Sequence, residues 1–222
     1  MKTFKIHLIR DGLTQGSVEG RYIGTTNEEL SEQGKEQLEQ LKRDFTYPEA
    51  QVVFCAPSAR SRETCAAIYP DKQPSEIAEF SECNFGEFEN HTAEELADNP
   101  AFAEWLRGDA AYAPPGGESS GEFTIRVCRG FIKLAEAMMS SGIGDTAVIA
   151  PGGVIMTIMT KFALPEFQMH DWITPGGCGF TLKTESILWH SGKKAELYAE
   201  IPQEPQGEYD DRAGWDWYPP VE

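Results

Sequence analysis

An apolar run that stops dead at a charged turn constrains this chain more than any other stretch. Phe4, Ile6, Leu8 and Ile9, with His7 among them, read as a short buried strand, and Arg10-Asp11-Gly12 ends it. Gly12 lets the backbone leave the strand sharply. A charged pair at the carboxyl end of a buried strand lies where open α/β sheets bind ligands, in the crevice outside the strand ends. The same residues also fit a strand followed by a solvated turn, so the rest of the chain has to decide.

Strand and helix patterns alternate after that point. Ser31 is placed to cap a helix carrying Leu38, Leu41 and Phe45 on one face, with Tyr47-Pro48 beyond it. Gln51 to Cys55 reads as a second strand and Ser58 to Ile68 as a second helix with Arg60 and Arg62 near its start. Arginines beside free helix N–H groups suit an anion. Ser75 to Phe80 is a weaker strand, followed by a loop with Glu82, Glu87 and Glu89. Thr92 is expected to cap a short helix, and Phe102 to Leu106 to start another after Asn99-Pro100. Phe123, Val127, Phe131, Leu134 and Met138 then form one face of a long helix ending at Gly142. Asp145 to Ala150 is a strand of the buried type, Pro151-Gly152-Gly153 turns it into a helix over Val154 to Leu164, and Gly179 to Lys183 and Ala195 to Ile201 are the last strands. This order predicts a three-layer α/β sandwich around a mostly parallel sheet. One domain over residues 1–201 and an acidic, aromatic tail over 202–222 are expected.

Charge and cysteine content exclude several partners. Nineteen basic against 36 acidic residues give a net charge of −17, a field that repels nucleic acid and anionic lipid. No run approaches the roughly 20 apolar residues of a membrane span and the N-terminus has no signal-like apolar core, so a cytoplasmic protein is expected. The five cysteines are scattered with no C-x-x-C pair, and the four histidines have no ligand spacing, so neither disulfides, metal nor cofactor is indicated. A small molecule or anion in the cleft is the expected partner, and nothing in the sequence sets an oligomeric state.

Four stretches in order resemble the signatures of one family, the histidine phosphatase superfamily of phosphoglycerate mutase-like proteins. They are Leu8-Ile9-Arg10-Asp11-Gly12-Leu13-Thr14, Cys55-Ala56-Pro57-Ser58-Ala59-Arg60, the acid-bearing loop Glu82 to Glu89, and Ala150-Pro151-Gly152-Gly153-Val154. In that family a histidine after the first arginine carries the phosphoryl group, a second histidine before the Gly-Gly pair binds it, two arginines clamp its oxygens and a carboxylic acid protonates the leaving group. The resemblance makes Arg10 and Arg60 the clamp and Glu82 the acid. Asp11 and Pro151 stand at the two histidine positions.

Both replacements oppose phosphoryl transfer. Two unit charges about 4 Å apart at an effective dielectric of about 20 repel by roughly 4 kcal/mol, so a carboxylate at Asp11 works against a phosphate there. Pro151 has neither imidazole nor N–H. Asp11 can instead pair with Arg10 or Arg60 and fill the cradle. Ser17, Ala56, Ser58 and Gly176 also depart from what the resemblance favours, which points to a pocket rebuilt, by deliberate redesign, on an intact scaffold.

A rebuilt pocket needs new chemistry, and a thiolate activated by imidazole is one source, able to cleave activated esters. Cys55 ends the second strand. Cys178 follows Pro175-Gly176-Gly177, a turn whose N–H groups would suit an oxyanion, and Cys83 adjoins Glu82. His91 and His170 are the candidate bases, while His7 is expected in the core and His190 at the surface. The sequence therefore leaves three readings: a scaffold with its phosphohistidine chemistry disabled, a cysteine-type ester hydrolase, and a noncatalytic binding protein using the emptied cleft.

Overall fold

The computed structural model describes residues 2–205, so the aromatic part of the expected tail lies outside the described residues. The strands are β1 (Thr3–Arg10), β2 (Val52–Cys55), β3 (Ser75–Glu76), β4 (Asp145–Ala150), β5 (Ala163–Leu164), β6 (Gly179–Glu185) and β7 (Ala195–Ile201). They form one seven-stranded sheet in the order β3-β2-β4-β1-β6-β7-β5. Only β6 runs against the others, antiparallel to both β1 and β7. The sheet is thus mixed and mostly parallel, as the alternating pattern predicts.

Seven helices flank it: α1 (Gln15–Val18), α2 (Glu32–Asp44), α3 (Ala59–Ile68), α4 (Pro100–Trp105), α5 (Ser120–Ser141), α6 (Gly152–Phe162) and α7 (Ser186–Gly192). Side chains alternate along the central strands, and each face has its own core. Ile6, Leu8, Val148 and Ala150 pack with Phe131, Leu134, Ile155, Ile158 and Trp189 from α5, α6 and α7. Ile9, Ala147 and Ile149 pack on the other face with Leu38 and Cys65 from α2 and α3. Burial on both faces explains why β1 and β4 read as almost continuous apolar runs.

The caps follow the sequence. Ser31 accepts from the Gly34 N–H at the start of α2, and Ser58 does the same for Ser61 in α3. Ser119 and Glu122 form a reciprocal capping box at the start of α5. Gly142 ends that helix at φ 69°, a left-handed conformation that only glycine adopts without strain.

Four elements differ from expectation. Strand β3 keeps only Ser75–Glu76, because Ala78–Phe80 tightens into a 3-10 turn that buries Phe80 completely. Residues Ala163 and Leu164 leave the helix and pair with β7 as β5. Thr92 accepts from the Glu95 N–H, yet only turns follow it. Helix α7, between the two last strands where no element was expected, buries Trp189 wholly in the core.

Phe131 is the keystone of the α5–α6–α7 layer, with ring centroids of Phe162 and Trp189 at 4.8 and 5.9 Å. Phe131→Ala is expected to cost about 3–5 kcal/mol in urea unfolding. A loss below about 1 kcal/mol would show that the three-ring contact contributes little.

Candidate functional site

The carboxyl ends of β1 and β4 lie side by side, with Arg10 opposite Ala150 in register. The chain continues into Asp11 from one strand and into Pro151-Gly152 from the other. Together with Arg60 from the first turn of α3 and Glu82 from the acidic loop, they line a pocket of about 70 Å³ that opens past Leu13, Ser17 and Ile23.

An ion pair fills the inner wall. The Arg60 Nε donates to Asp11 Oδ2 at 3.0 Å and the Ser61 Oγ donates to the same oxygen at 2.8 Å. Asp11 and Arg60 are 6% and 5% exposed, so the pair is screened little by water. Arg60 also donates from Nη1 to the carbonyl of Thr26 at 3.1 Å and from Nη2 to that of Gly24 at 3.2 Å. That loop is held in turn by Glu89, which accepts from the N–H groups of Gly24, Thr25 and Phe85 and from the Thr26 hydroxyl. Burial works against ionisation of Glu89, but these hydrogen bonds outweigh it and hold its carboxyl below the usual range.

Arg10 is held more loosely. Its Nη1 donates to the Thr174 carbonyl at 2.5 Å, and the guanidinium lies flat against the start of α6. A Cβ at Gly152 would sit 3.1 Å from the Arg10 Nε, so glycine there permits the approach. Glu82 accepts from Cys83 N at 2.8 Å and Gly153 N at 2.9 Å. Burial pushes its carboxyl above the usual value, and the charge of Asp11 adds to that, against those two N–H groups and Arg60. Arg126 of α5 grips the acid loop from behind, donating to the carbonyls of Glu79, Ser81 and Glu82 and pairing with Glu118.

The cysteine–histidine dyad is not assembled. No thiol of the described residues bonds an imidazole. Burial pushes the thiols of Cys55 and Cys178 up to about 11 and that of Cys83 up to about 12, the opposite of activation. His91 is exposed, its ring nitrogen 2.9 Å from the Glu89 carbonyl, and His170 is exposed beside Asp171. In the turn before Cys178, Gly177 N donates to Arg10 O and Cys178 N to Pro175 O, so neither of these two N–H groups is free for an oxyanion. His7 is a core residue bonded to Thr181, and His190 is exposed on α7. Among the described residues no three His, Cys, Asp or Glu side chains are grouped to hold a metal.

Of the altered positions only Ser17 lines the pocket, and Ser17, Ser58 and Gly176 serve local structure. Ser17 exchanges hydrogen bonds with Thr14 at the start of α1. Ser58 caps α3 and donates to the hydroxyl of Ser61, the residue that bonds Asp11. A side chain at Gly176 would crowd the backbone of Asp11 and Gly12. Ser61, Glu89 and Arg126 were not legible as site residues. The only hint was their place on a capped helix start, an acidic loop and the face of α5 that begins at a capping box.

Fold and site together define an α/β protein with a two-arginine cradle at the strand ends. The chain belongs to the histidine phosphatase superfamily, branch 1, whose sequence pattern it matches over residues 6–183. It is 26% identical over 179 residues to the adenosylcobalamin/alpha-ribazole phosphatase of Escherichia coli, covering 78% of this chain and 87% of that protein. The acid phosphatase of Mycobacterium tuberculosis is 26% identical over 191 residues, covering 81% of this chain and 88% of that one. In fold it resembles the alpha-ribazole phosphatase of Shigella flexneri, with a TM-score of 0.78 at 21% identity over 93% of this chain and 100% of the other. It also resembles the phosphoglycerate mutase of Bacillus anthracis, with a TM-score of 0.72 at 17% identity over 89% and 92% of the two chains.

Two outcomes follow from the geometry. Asp11→Ala strands a buried guanidinium and is expected to cost about 3–5 kcal/mol, measured by chemical denaturation; a neutral effect would mean that Arg60 finds water. Incubation with p-nitrophenyl acetate is expected to give no burst of nitrophenol, since every candidate thiol is held protonated. A burst lost in Cys178→Ala or Cys55→Ala would contradict that.

Proposed function

We propose that this member of the superfamily forms no phosphohistidine and hydrolyses no phosphomonoester, and that its cleft holds a small-molecule ligand without chemistry. The observation that carries the reading is the Arg60–Asp11–Ser61 network. Phosphoryl transfer is almost wholly a matter of positioning and of cations placed around the transferred group. Here one of the two clamp arginines has each of its three nitrogens bonded inside the protein. An incoming phosphoryl group would have to break a buried pair and then face the carboxylate left behind.

The other half of the cradle is equally silent. Pro151 caps α6 with no side-chain hydrogen bond, and no N–H is available on its nitrogen. Asp11 as a covalent phosphoryl acceptor fares no better, because its carboxylate is paired with Arg60 and Ser61 and repels the oxygens of an incoming phosphoryl group. Arg10, Asp11, Arg60 and Glu82 are therefore read as binding residues. The Ser58–Ser61–Asp11 chain of hydroxyls supports a lining rebuilt around the carboxylate rather than one that has merely lost a nucleophile.

The test is p-nitrophenyl phosphate turnover at several pH values, before and after Asp11→His with Pro151→His. The unaltered protein is expected to match the buffer blank, and the double variant to gain about 100-fold or more over it. Turnover by the unaltered protein that survives Asp11→Asn would sink the reading.

A further inference from the structure

Two groups in the cleft keep capacity that the protein itself does not use. Arg10 donates once, to the Thr174 carbonyl, and no other hydrogen bond to a described residue engages its guanidinium. Glu82 holds two backbone N–H groups and turns toward the pocket it lines. The rest of the charge is internal: Arg60 and Asp11 cancel each other. A protonated Glu82 leaves the cleft with the single positive charge of Arg10, and an ionised Glu82 leaves it with none.

That balance sets the valence of a ligand. Attraction to one net charge doubles from a monoanion to a dianion, whereas the cost of stripping water from the ion rises with the square of its charge and quadruples. A site with one uncompensated cation therefore favours a monoanion. The space of about 70 Å³ accommodates a group the size of a few water molecules. Arg10 offers the planar fork that matches two oxygens on one carbon, and a carboxylic acid facing a carboxylate can share one proton with it. Resting on the noncatalytic reading of the cleft, we propose that it binds the carboxylate of a small organic acid between the Arg10 guanidinium and the proton of Glu82.

Binding of this kind takes up a proton. The charged groups that face Glu82 are Arg10 and Asp11 from the end of β1 and Arg60 from α3. On its own loop is the Cys83 thiol, which burial keeps protonated. Helix α6 contributes only the Gly153 N–H, and behind the loop Arg126 and Glu118 neutralise each other. Burial and Asp11 already raise the Glu82 value, and a ligand carboxylate raises it further. Affinity is then flat at low pH. It falls by up to tenfold per pH unit above the value for Glu82 in the unliganded protein.

Calorimetric titration of the full chain with sodium acetate, inorganic phosphate and sodium chloride at equal ionic strength tests this. Runs at about pH 5.5 and about pH 8, in buffers of different ionisation enthalpy, count the protons taken up. Acetate is expected to bind at both pH values, more tightly at the lower, with proton uptake at the higher. Phosphate, a dianion at about pH 8, and chloride are expected to bind at least tenfold more weakly. Glu82→Gln should abolish the pH dependence and Arg10→Met should weaken acetate at least tenfold, while proton uptake by the unaltered protein needs no variant. The proposal is overturned by undetectable acetate binding, by chloride or phosphate equalling acetate at about pH 8, or by a pH dependence that survives Glu82→Gln. Phosphate preference without turnover refutes the carboxylate alone, whereas p-nitrophenyl phosphate turnover refutes the noncatalytic reading.

Discussion

The buried pair between Asp11 and Arg60 is the interaction on which the cleft depends. Two ions removed from water cost several kcal/mol each, and their attraction offsets this only if every remaining donor and acceptor is used. The chain supplies further partners to the pair by drawing three segments together. Arg60 donates to the carbonyls of Gly24 and Thr26, and Ser61, its neighbour on α3, donates to Asp11. The end of β1, the start of α3 and the loop after α1 are thereby fixed to one another. Gly24 can sit there because a Cβ would meet the Cys83 carbonyl at 1.9 Å, which also brings the acid loop into the same assembly.

Two glutamates on that acid loop show how environment divides one chemistry. Glu89 accepts from four N–H groups and two hydroxyls, and its charge is supported in spite of burial. Glu82 accepts from two N–H groups, lies close to the charge of Asp11, and is pushed toward its protonated form. Their environments therefore push the two carboxyls in opposite directions, although they are seven residues apart on a single loop. Arg126 holds the backbone of that loop from behind, donating to the carbonyls of Glu79, Ser81 and Glu82.

Much of this fold was legible because its central strands are buried on both faces. Strands β4 and β7 fall where the sequence puts them, since an apolar or alternating run bounded by Gly, Pro or polar residues has few other solutions. Strand β5 and helix α7 were not legible: two residues pairing with an edge and a short helix set by one buried tryptophan depend on tertiary contacts that no local pattern encodes. Of the site, Arg10, Asp11, Arg60 and Glu82 do share one pocket. The thiol–imidazole pairing failed for a different reason. Sequence reveals which residue types sit near strand ends but not where their side chains and N–H groups are already committed, and the N–H groups of Gly177 and Cys178 already donate to backbone carbonyls.

A carboxylate in an arginine cradle does more than subtract affinity. By neutralising Arg60 from within, Asp11 converts a site with two cations into a site with one, and it does so without opening the cleft or loosening the scaffold. The pocket keeps its position at the strand ends, its helix start at Gly152 and its acid at Glu82. What changes is the charge that a ligand must carry to be worth desolvating. In this superfamily member the replacement is better understood as a change of valence than as an empty site, because Arg10 is the one arginine of the cradle left without a carboxylate partner, beside a glutamate whose burial favours its proton.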